Sequence, residues 1–293
     1  MKDIYPVGQI SKQGFHRWLD RKYFVLEEQE QIRVILKQLR EDHPRMSSRN
    51  FYRMIQPRTM GRDAFESFCH SIGYKVDIRR RKYKTTDSRG VNRFPNLIMD
   101  LEELNGINQL CVSDITYYEL GEITLYLTFI QDVYNREIIG YSMSESLLTS
   151  ATTIPALRMA IRQRKLNRES RLIFHSDGGG QYYSKDFLHI TKEYGIRNSM
   201  GENAYENPFA ERINGTIKND YLYPHKPKTV DQLWRLLTKA VDLYNNIRPH
   251  QSLGNISPVA FLRLTQTGLL TKTWIINKKK KVSKKEKVNI NIK

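Results

Sequence analysis

Cysteine is scarce in this chain: Cys69 and Cys111 are the only two among 293 residues, and they form no CxxC pair. A disulfide framework and a thiolate zinc site are both excluded, and a reducing cytoplasm suits such a chain. No apolar run approaches the roughly 18 residues a membrane span needs, so no membrane contact is expected. The N-terminus has no apolar stretch of the secretory type. Internal repeats are absent too. Negative charge is in deficit, with 31 Asp and Glu against 48 Lys and Arg, a net of +17. An excess of that size points to a polyanionic partner, whose counterions are released on contact. Composition does not separate DNA from RNA, and solvated charge is the bland alternative. What is present in quantity is core material: 39% of residues are hydrophobic, enough for a catalytic core with small appended modules.

The charge is uneven along the chain. Residues 278–293 hold eight Lys against one Glu without apolar periodicity, which reads as a disordered basic tail. Arg79, Arg80, Arg81, Lys82 and Lys84 form a second basic run, read as an exposed linker. Upstream, Ile32, Ile35, Leu36 and Leu39 mark an amphipathic helix. Ser11 to Trp18 has the length and polarity of a short helix in a helix-turn-helix. No sustained heptad pattern is present. From about residue 107 the period changes to two. Gln109–Ile115, the alternating segment Ile123–Val133 and Arg136–Met143 read as three successive strands. A helix over Thr152–Lys165, a short strand over Arg171–His175 and a helix over Lys185–Tyr194 follow. Three strands and then alternating helix and strand predict a mixed sheet with packed helices, an α/β class. Val230, Leu233, Leu237, Ala240, Val241 and Tyr244 trace a further helical stripe, which makes Tyr244 a core residue and leaves Arg248 open.

Three acids stand out by position. Asp114 is expected near the end of the first core strand. Asp177 directly follows an apolar strand and precedes Gly178-Gly179-Gly180. Glu211 lies on a helix expected from Pro208 to Tyr221, with Phe209, Ile213 and Ile217 toward the core and Glu211, Asn214, Gly215 and Lys218 on another face. Hard divalent cations take oxygen ligands, and a two-metal site stabilises both the attacking and the leaving oxygen of an in-line displacement. Three separated carboxylates can supply such a site, although exposed acids are common in any protein. The glycine run has no following Lys-Ser/Thr, so it is no P-loop. His175 is read as packing at the strand end.

Local motifs add a family. Val112-Ser113-Asp114-Ile115-Thr116-Tyr117, His175-Ser176-Asp177-Gly178-Gly179-Gly180-Gln181-Tyr182 and Glu206-Asn207-Pro208-Phe209-Ala210-Glu211 through Lys218 occur in order. Tyr244-Asn245-Asn246-Ile247-Arg248-Pro249-His250-Gln251-Ser252-Leu253 follows them. Together these resemble the signature segments of DDE transposases from retroviral-integrase-like insertion sequences, in particular their second-frame proteins. The interval 211 − 177 = 34 is close to that family's usual one. More faintly, Ser11–Trp18 resembles the family's start, and Lys84-Thr85-Thr86 with Pro95-Asn96-Leu97 its linker. Cys111 stands where the family commonly has Trp, and Glu206 where it commonly has Asp.

The resemblance implies an RNase H-like mixed-sheet catalytic core with a helical N-terminal region. It implies Asp114, Asp177 and Glu211 as catalytic metal ligands, and two Mg²⁺ ions as cofactor with Mn²⁺ as a substitute. Lys218 corresponds to a DNA-contacting lysine, and Asn214, Arg79, Arg80, Arg81 and Lys82 are further candidates for DNA contact. The implied activity is cleavage and strand transfer of DNA. The implied partners are the element's terminal inverted repeats and target DNA, further copies of the chain on that DNA, and an upstream-frame helix-turn-helix partner or fusion. A bacterial cytoplasmic, nucleoid-associated location goes with them. The expected layout is a helical region at 1–78, a basic linker at 79–106, the core at 107–225, a helical extension at 226–265 and a basic tail at 266–293. Two rivals remain at this point: a nuclease of the same fold without joining activity, and a catalytically silent DNA-binding relative.

Overall fold

In the computed structural model the described residues are 11–76, 94–201 and 207–276. The basic run at residues 79–84 and the tail at 278–293 lie outside them, as does Glu206. The chain divides into two compact units, Met1–Arg79 and Arg80–Lys293.

The first unit is helical. Ser11 caps α1 (Lys12–Asp42) by accepting a hydrogen bond from the Gly14 amide at 3.0 Å. Ser11–Trp18 therefore forms no separate short helix; it opens a single helix of 31 residues. Ser47 likewise caps α2 (Ser48–Ile55), and α3 (Arg62–Ser71) follows. Of the predicted stripe, Ile32 and Leu36 are buried against Met46, Phe51, Phe65 and Cys69, whereas Ile35 faces solvent. The Arg40 guanidinium ties the unit together by donating to the carbonyls of Pro44, Met46 and Tyr74 at 2.9–3.0 Å.

The second unit is built on a five-stranded mixed sheet. Strands β2 (Leu110–Leu120), β3 (Ile123–Asp132) and β4 (Ile138–Ser144) form an antiparallel meander. Strands β5 (Ile173–Ser176) and β6 (Arg197–Met200) add in parallel on the other side of β2, giving the order β4-β3-β2-β5-β6. This is the mixed sheet expected from the strand and helix pattern, with the RNase H-like arrangement that the resemblance implies. The sequence reading missed β6, because Arg-Asn-Ser-Met carries no apolar run. Its placement comes from parallel pairing with β5, and only Ser199 and Met200 are buried.

Helices cover both faces. On one, α4 (Thr153–Arg164) and α5 (Lys185–Glu193) pack Leu157 and Phe187 against Cys111, Ile130 and Phe174. The approach of α4 to β4 requires Gly140, since a Cβ there would stand 2.2 Å from the Ala156 carbonyl oxygen. On the other face, α6 (Pro208–Thr216) and α7 (Val230–Asn246) bury Ile213, Leu233, Leu237 and Tyr244 against Leu125, Leu127 and Phe129. The helix expected to run unbroken from Pro208 to Tyr221 does not do so: Ile217–Leu222 is a π-helical segment. After α8 (Pro258–Gln266), residues 274–275 (β7) pair antiparallel with β1 (Glu103–Leu104). The tail drawn from 266 thus begins inside packed structure, with Trp274 Nε1 donating to the Tyr134 carbonyl at 2.9 Å. Among the described residues no helix is long and apolar enough to cross a membrane.

Candidate active site

One face of β2 carries Leu110, Val112, Asp114, Thr116, Tyr118 and Leu120, alternating with residues of the opposite face. Leu110 and Val112 join one apolar cluster and Tyr118 and Leu120 another, so Asp114 and Thr116 form a polar step between two hydrophobic stretches. Asp114 is thus in mid-strand rather than at a strand end. It is nevertheless at the end of the pairing with β5, which runs from Leu110↔Ile173 to Val112↔His175. Continued by two residues, that parallel register would bring Asp177 level with Asp114, and the charge of Asp177 does reach Asp114. The chain has by then left β5, and the Asp177 carboxylate accepts from the Gly179 amide at 3.1 Å. Gly178 has little room for a side chain, as a Cβ there would meet the Met200 methyl at 2.7 Å.

Helix α6 brings the third acid. Asn207, at its N-terminus, donates through Nδ2 to the Ser113 carbonyl at 2.9 Å. Asn214 Nδ2 donates to Asp114 Oδ2 at 2.7 Å. Lys218 Nζ then donates to the Thr116 hydroxyl and, at 3.2 Å, to the Tyr117 carbonyl. From Asn214 to Lys218 a helix rises about 6 Å, and from Asp114 to Thr116 a strand rises about 6.6 Å. The two elements therefore advance in step, and polar bonds repeat along them. Glu211 is one turn before Asn214, on the helix face turned to Asp114, and its side chain is exposed.

The electrostatics are those of crowded acids. Burial first, then the charge of Asp177 and that of Glu211, push the Asp114 carboxyl up to about 7, against a lowering by Lys218. Burial also raises Asp177, opposed by the Gly179 hydrogen bond. Among the described residues no three His, Cys, Asp or Glu side chains stand close enough together to hold a metal ion. The charges of Asp177 and Glu211 both reach Asp114, but the three carboxylates do not converge into a metal-holding group in this arrangement. The donor set itself suits a hydrated divalent cation: hard carboxylate oxygens, and beside them the buried Asn214 Oδ1, which has no hydrogen-bond partner.

Several residues here escaped sequence reasoning. Tyr182 is buried, and its hydroxyl shares a 2.9 Å hydrogen bond with Ser113, so the second motif's tyrosine braces the residue beside Asp114. Its only signal was its place in the motif. Asn207 is another such brace. His175 is fully buried, with Nδ1 2.9 Å from Ser199 Oγ, in keeping with a packing role. Lys218 is buried. Arg248 is half-buried and paired with Asp220 at 2.7 Å. Tyr244 is core, its hydroxyl accepting from Gln131 Nε2 at 2.9 Å.

Comparison with known proteins agrees with this architecture. Residues 105–205 and residues 194–258 each match a family described as integrase core domain. The uncharacterized 31 kDa protein of insertion element IS600 from Shigella sonnei is 31% identical over 267 residues, covering 86% of this chain and 94% of that one. The transposase for insertion sequence element IS629, also from Shigella sonnei, is 32% identical over 189 residues, covering 64% and 62% of the two chains. Among solved structures, the HTLV-2 integrase catalytic core domain in complex with magnesium aligns with a TM-score of 0.42 and 21% identity, covering 53% of this chain and 95% of that one. The chain belongs to the integrase-core family of insertion-sequence transposases. It is a DDE-type polynucleotidyl transferase.

Proposed function

We propose that the chain cuts and rejoins the ends of its own insertion sequence, with Asp114, Asp177 and Glu211 as the ligands of two Mg²⁺ ions, replaceable by Mn²⁺. The observation that carries this reading is that the charge of Asp177, just past the end of β5, acts on Asp114 of neighbouring β2, with Glu211 one helical turn from the Asn214 bonded to Asp114. When bound, the cations supply Lewis-acid activation of an oxygen nucleophile and stabilise the charge of the phosphate in transit. Asn214 fixes Oδ2 of Asp114, and the Gly179 amide holds Oδ1 of Asp177.

The chemistry is a pair of displacements at phosphorus. In the first, a water oxygen forms the new P–O bond and a 3′ oxygen leaves, taking a proton to become a hydroxyl. In the second, that hydroxyl attacks a phosphodiester of the target, one P–O bond forming as another breaks. Bond energy is conserved, so no nucleotide cofactor is required. No protein–DNA covalent intermediate is required either.

Further copies of the chain would synapse the two terminal inverted repeats, and an upstream-frame helix-turn-helix partner or fusion would contribute recognition of them. Arg79, Arg80, Arg81 and Lys82 are assigned to phosphate contact, a role that supplies affinity rather than sequence reading. Asn214 and Lys218 are assigned to DNA at the site's edge, although in the free protein both bond to β2. The location that follows is the bacterial cytoplasm, at the nucleoid when bound. The test is a Mg²⁺-dependent end-joining assay with Asp177→Asn. Joining should vanish while DNA binding persists; joining that survives the substitution defeats the ligand assignment, and cleavage without joining in the wild type would make the protein a nuclease.

A further inference from the structure

The segment Tyr244–Leu253 has no part in the chemistry above, yet its side chains are engaged. Asn245 forms a paired hydrogen bond with the backbone of Ile138, its Oδ1 accepting from the amide at 2.9 Å and its Nδ2 donating to the carbonyl at 2.8 Å. Tyr244 is bonded to Gln131, which also donates to the Arg136 carbonyl at 2.7 Å. The end of α7 is thereby fixed to the β3–β4 hairpin. From this anchored point Arg248 reaches across to the π segment. Its Nη2 is 2.7 Å from Asp220 Oδ2, and its guanidinium stands 5.8 Å from the centre of the Tyr221 ring. Both partners of the ion pair are largely shielded, with side-chain exposures of 16% and 23%.

The π segment is where the helix carrying Glu211 changes register. A π turn holds an extra residue, and returning it to α geometry would rotate everything beyond it by roughly 100° relative to what precedes. Asp220 lies inside that segment, two residues past Lys218, which is bonded to Thr116 and Tyr117 of β2. A relaxed turn would swing Asp220 off Arg248, or else drag Lys218 and Asn214 along β2. Since Asn214 holds Asp114 and Glu211 is one turn further on, the displacement would be felt at the acids.

We infer that Arg248 is a positioning residue: its ion pair with Asp220 selects the π turn and thereby sets the register of Glu211 against Asp114 and Asp177. The inference rests on the metal-ligand reading above. It also gives Arg248, left open by the sequence pattern, the role of a clamp.

The experiment follows the Mg²⁺-induced rise in melting temperature of the full chain, titrated to a half-saturating concentration. Wild type is compared with Arg248→Met, Arg248→Lys and Asp220→Asn, and with Arg164→Lys as a buried ion pair remote from the acids. Arg248→Met and Asp220→Asn should each raise the half-saturating concentration roughly ten-fold, as loss of outer-shell support does, with Arg248→Lys recovering part of it. Arg164→Lys should lower the metal-free melting temperature and leave the half-saturating concentration unchanged. If Arg248→Met proves unfolded, Asp220→Asn, which keeps the shape of the side chain, is judged by the same criterion. Half-saturation within about two-fold of wild type in the folded variants overturns the inference alone. A wild type indifferent to Mg²⁺, and indistinguishable from Asp114→Asn, overturns the ligand reading and this inference with it.

Discussion

Two groups of acids lie at the same sheet, one fully buried and one half-buried, and they are treated in opposite ways. At the β3–β4 end, Asp132 and Glu137 are met in full. Arg164 donates to Glu137 at 2.7 Å and stands 3.7 Å from Asp132. Asn135 and Gln163 also donate to Glu137, and the Asn108 and Tyr134 amides donate to Asp132. At the β2–β5 junction, Asp114 is met by Asn214, the Ile115 amide and the charge of Lys218, but two further acids, Asp177 and Glu211, act against them. Burial raises the carboxyls of both Asp132 and Asp114, but Arg164 opposes it at Asp132 whereas Asp177 reinforces it at Asp114. The first group is a structural lock. The second is a local excess of negative charge, of the kind a fold keeps when a cation completes it.

The contrast can be broken most sharply by removing one charge from each group. Asp114→Asn should abolish Mg²⁺-dependent joining, by about a thousand-fold or more. The same change should leave stability in urea unchanged or raise it by about 1 kcal/mol, because it relieves like-charge crowding. A clear fall in stability would show that Asp114 is already compensated. Arg164→Met should do the reverse, costing about 3–5 kcal/mol by stranding two buried carboxylates. Urea unfolding measures it, and a loss below about 1 kcal/mol would make that group as loosely held as the other.

A pH experiment sharpens the comparison without touching either acid. Burial first, then the charge of Arg248, depress the His250 imidazole to about 3, so it is neutral in the folded chain. A folded pKa below the ordinary 6.5 means stability is complete above about 6.5 and is lost as pH falls toward 3. That loss should be on the order of 3 kcal/mol. His250→Phe, which keeps the edge contact with the Tyr244 ring at 4.7 Å, should flatten the acid limb of the stability profile; an unchanged limb would assign it to the carboxylates instead. The smallest effect is expected at Tyr182→Phe, which removes the hydroxyl contact to Ser113. It should cost about 1 kcal/mol, and a much larger loss of joining than of stability would place the brace within the catalytic geometry.

Much of the core was legible beforehand. The meander announced itself by period-two alternation, the stripe from Leu233 to Tyr244 by its helical spacing, and the three acids by the motifs around them. What was illegible depended on pairing rather than pattern. Strand β6 is polar and short, and it exists because β5 offers it an edge. The π turn at Ile217–Leu222 leaves no trace in the spacing of Phe209, Ile213 and Ile217, which reads as plain α-helix. Arg248 could equally have faced solvent.

Taken alone, the sequence determined the catalytic class and the sheet with its covering helices, and it singled out three candidate acids, because alternation and motif are local properties of a chain. Only the tertiary structure decided that Asp177 comes near enough for its charge to act on Asp114, that Lys218 bonds to β2, and that Arg248 grips Asp220. Those relations join residues as many as about a hundred positions apart, and they are fixed by strand register and by the volume between packed elements, neither of which any one segment contains.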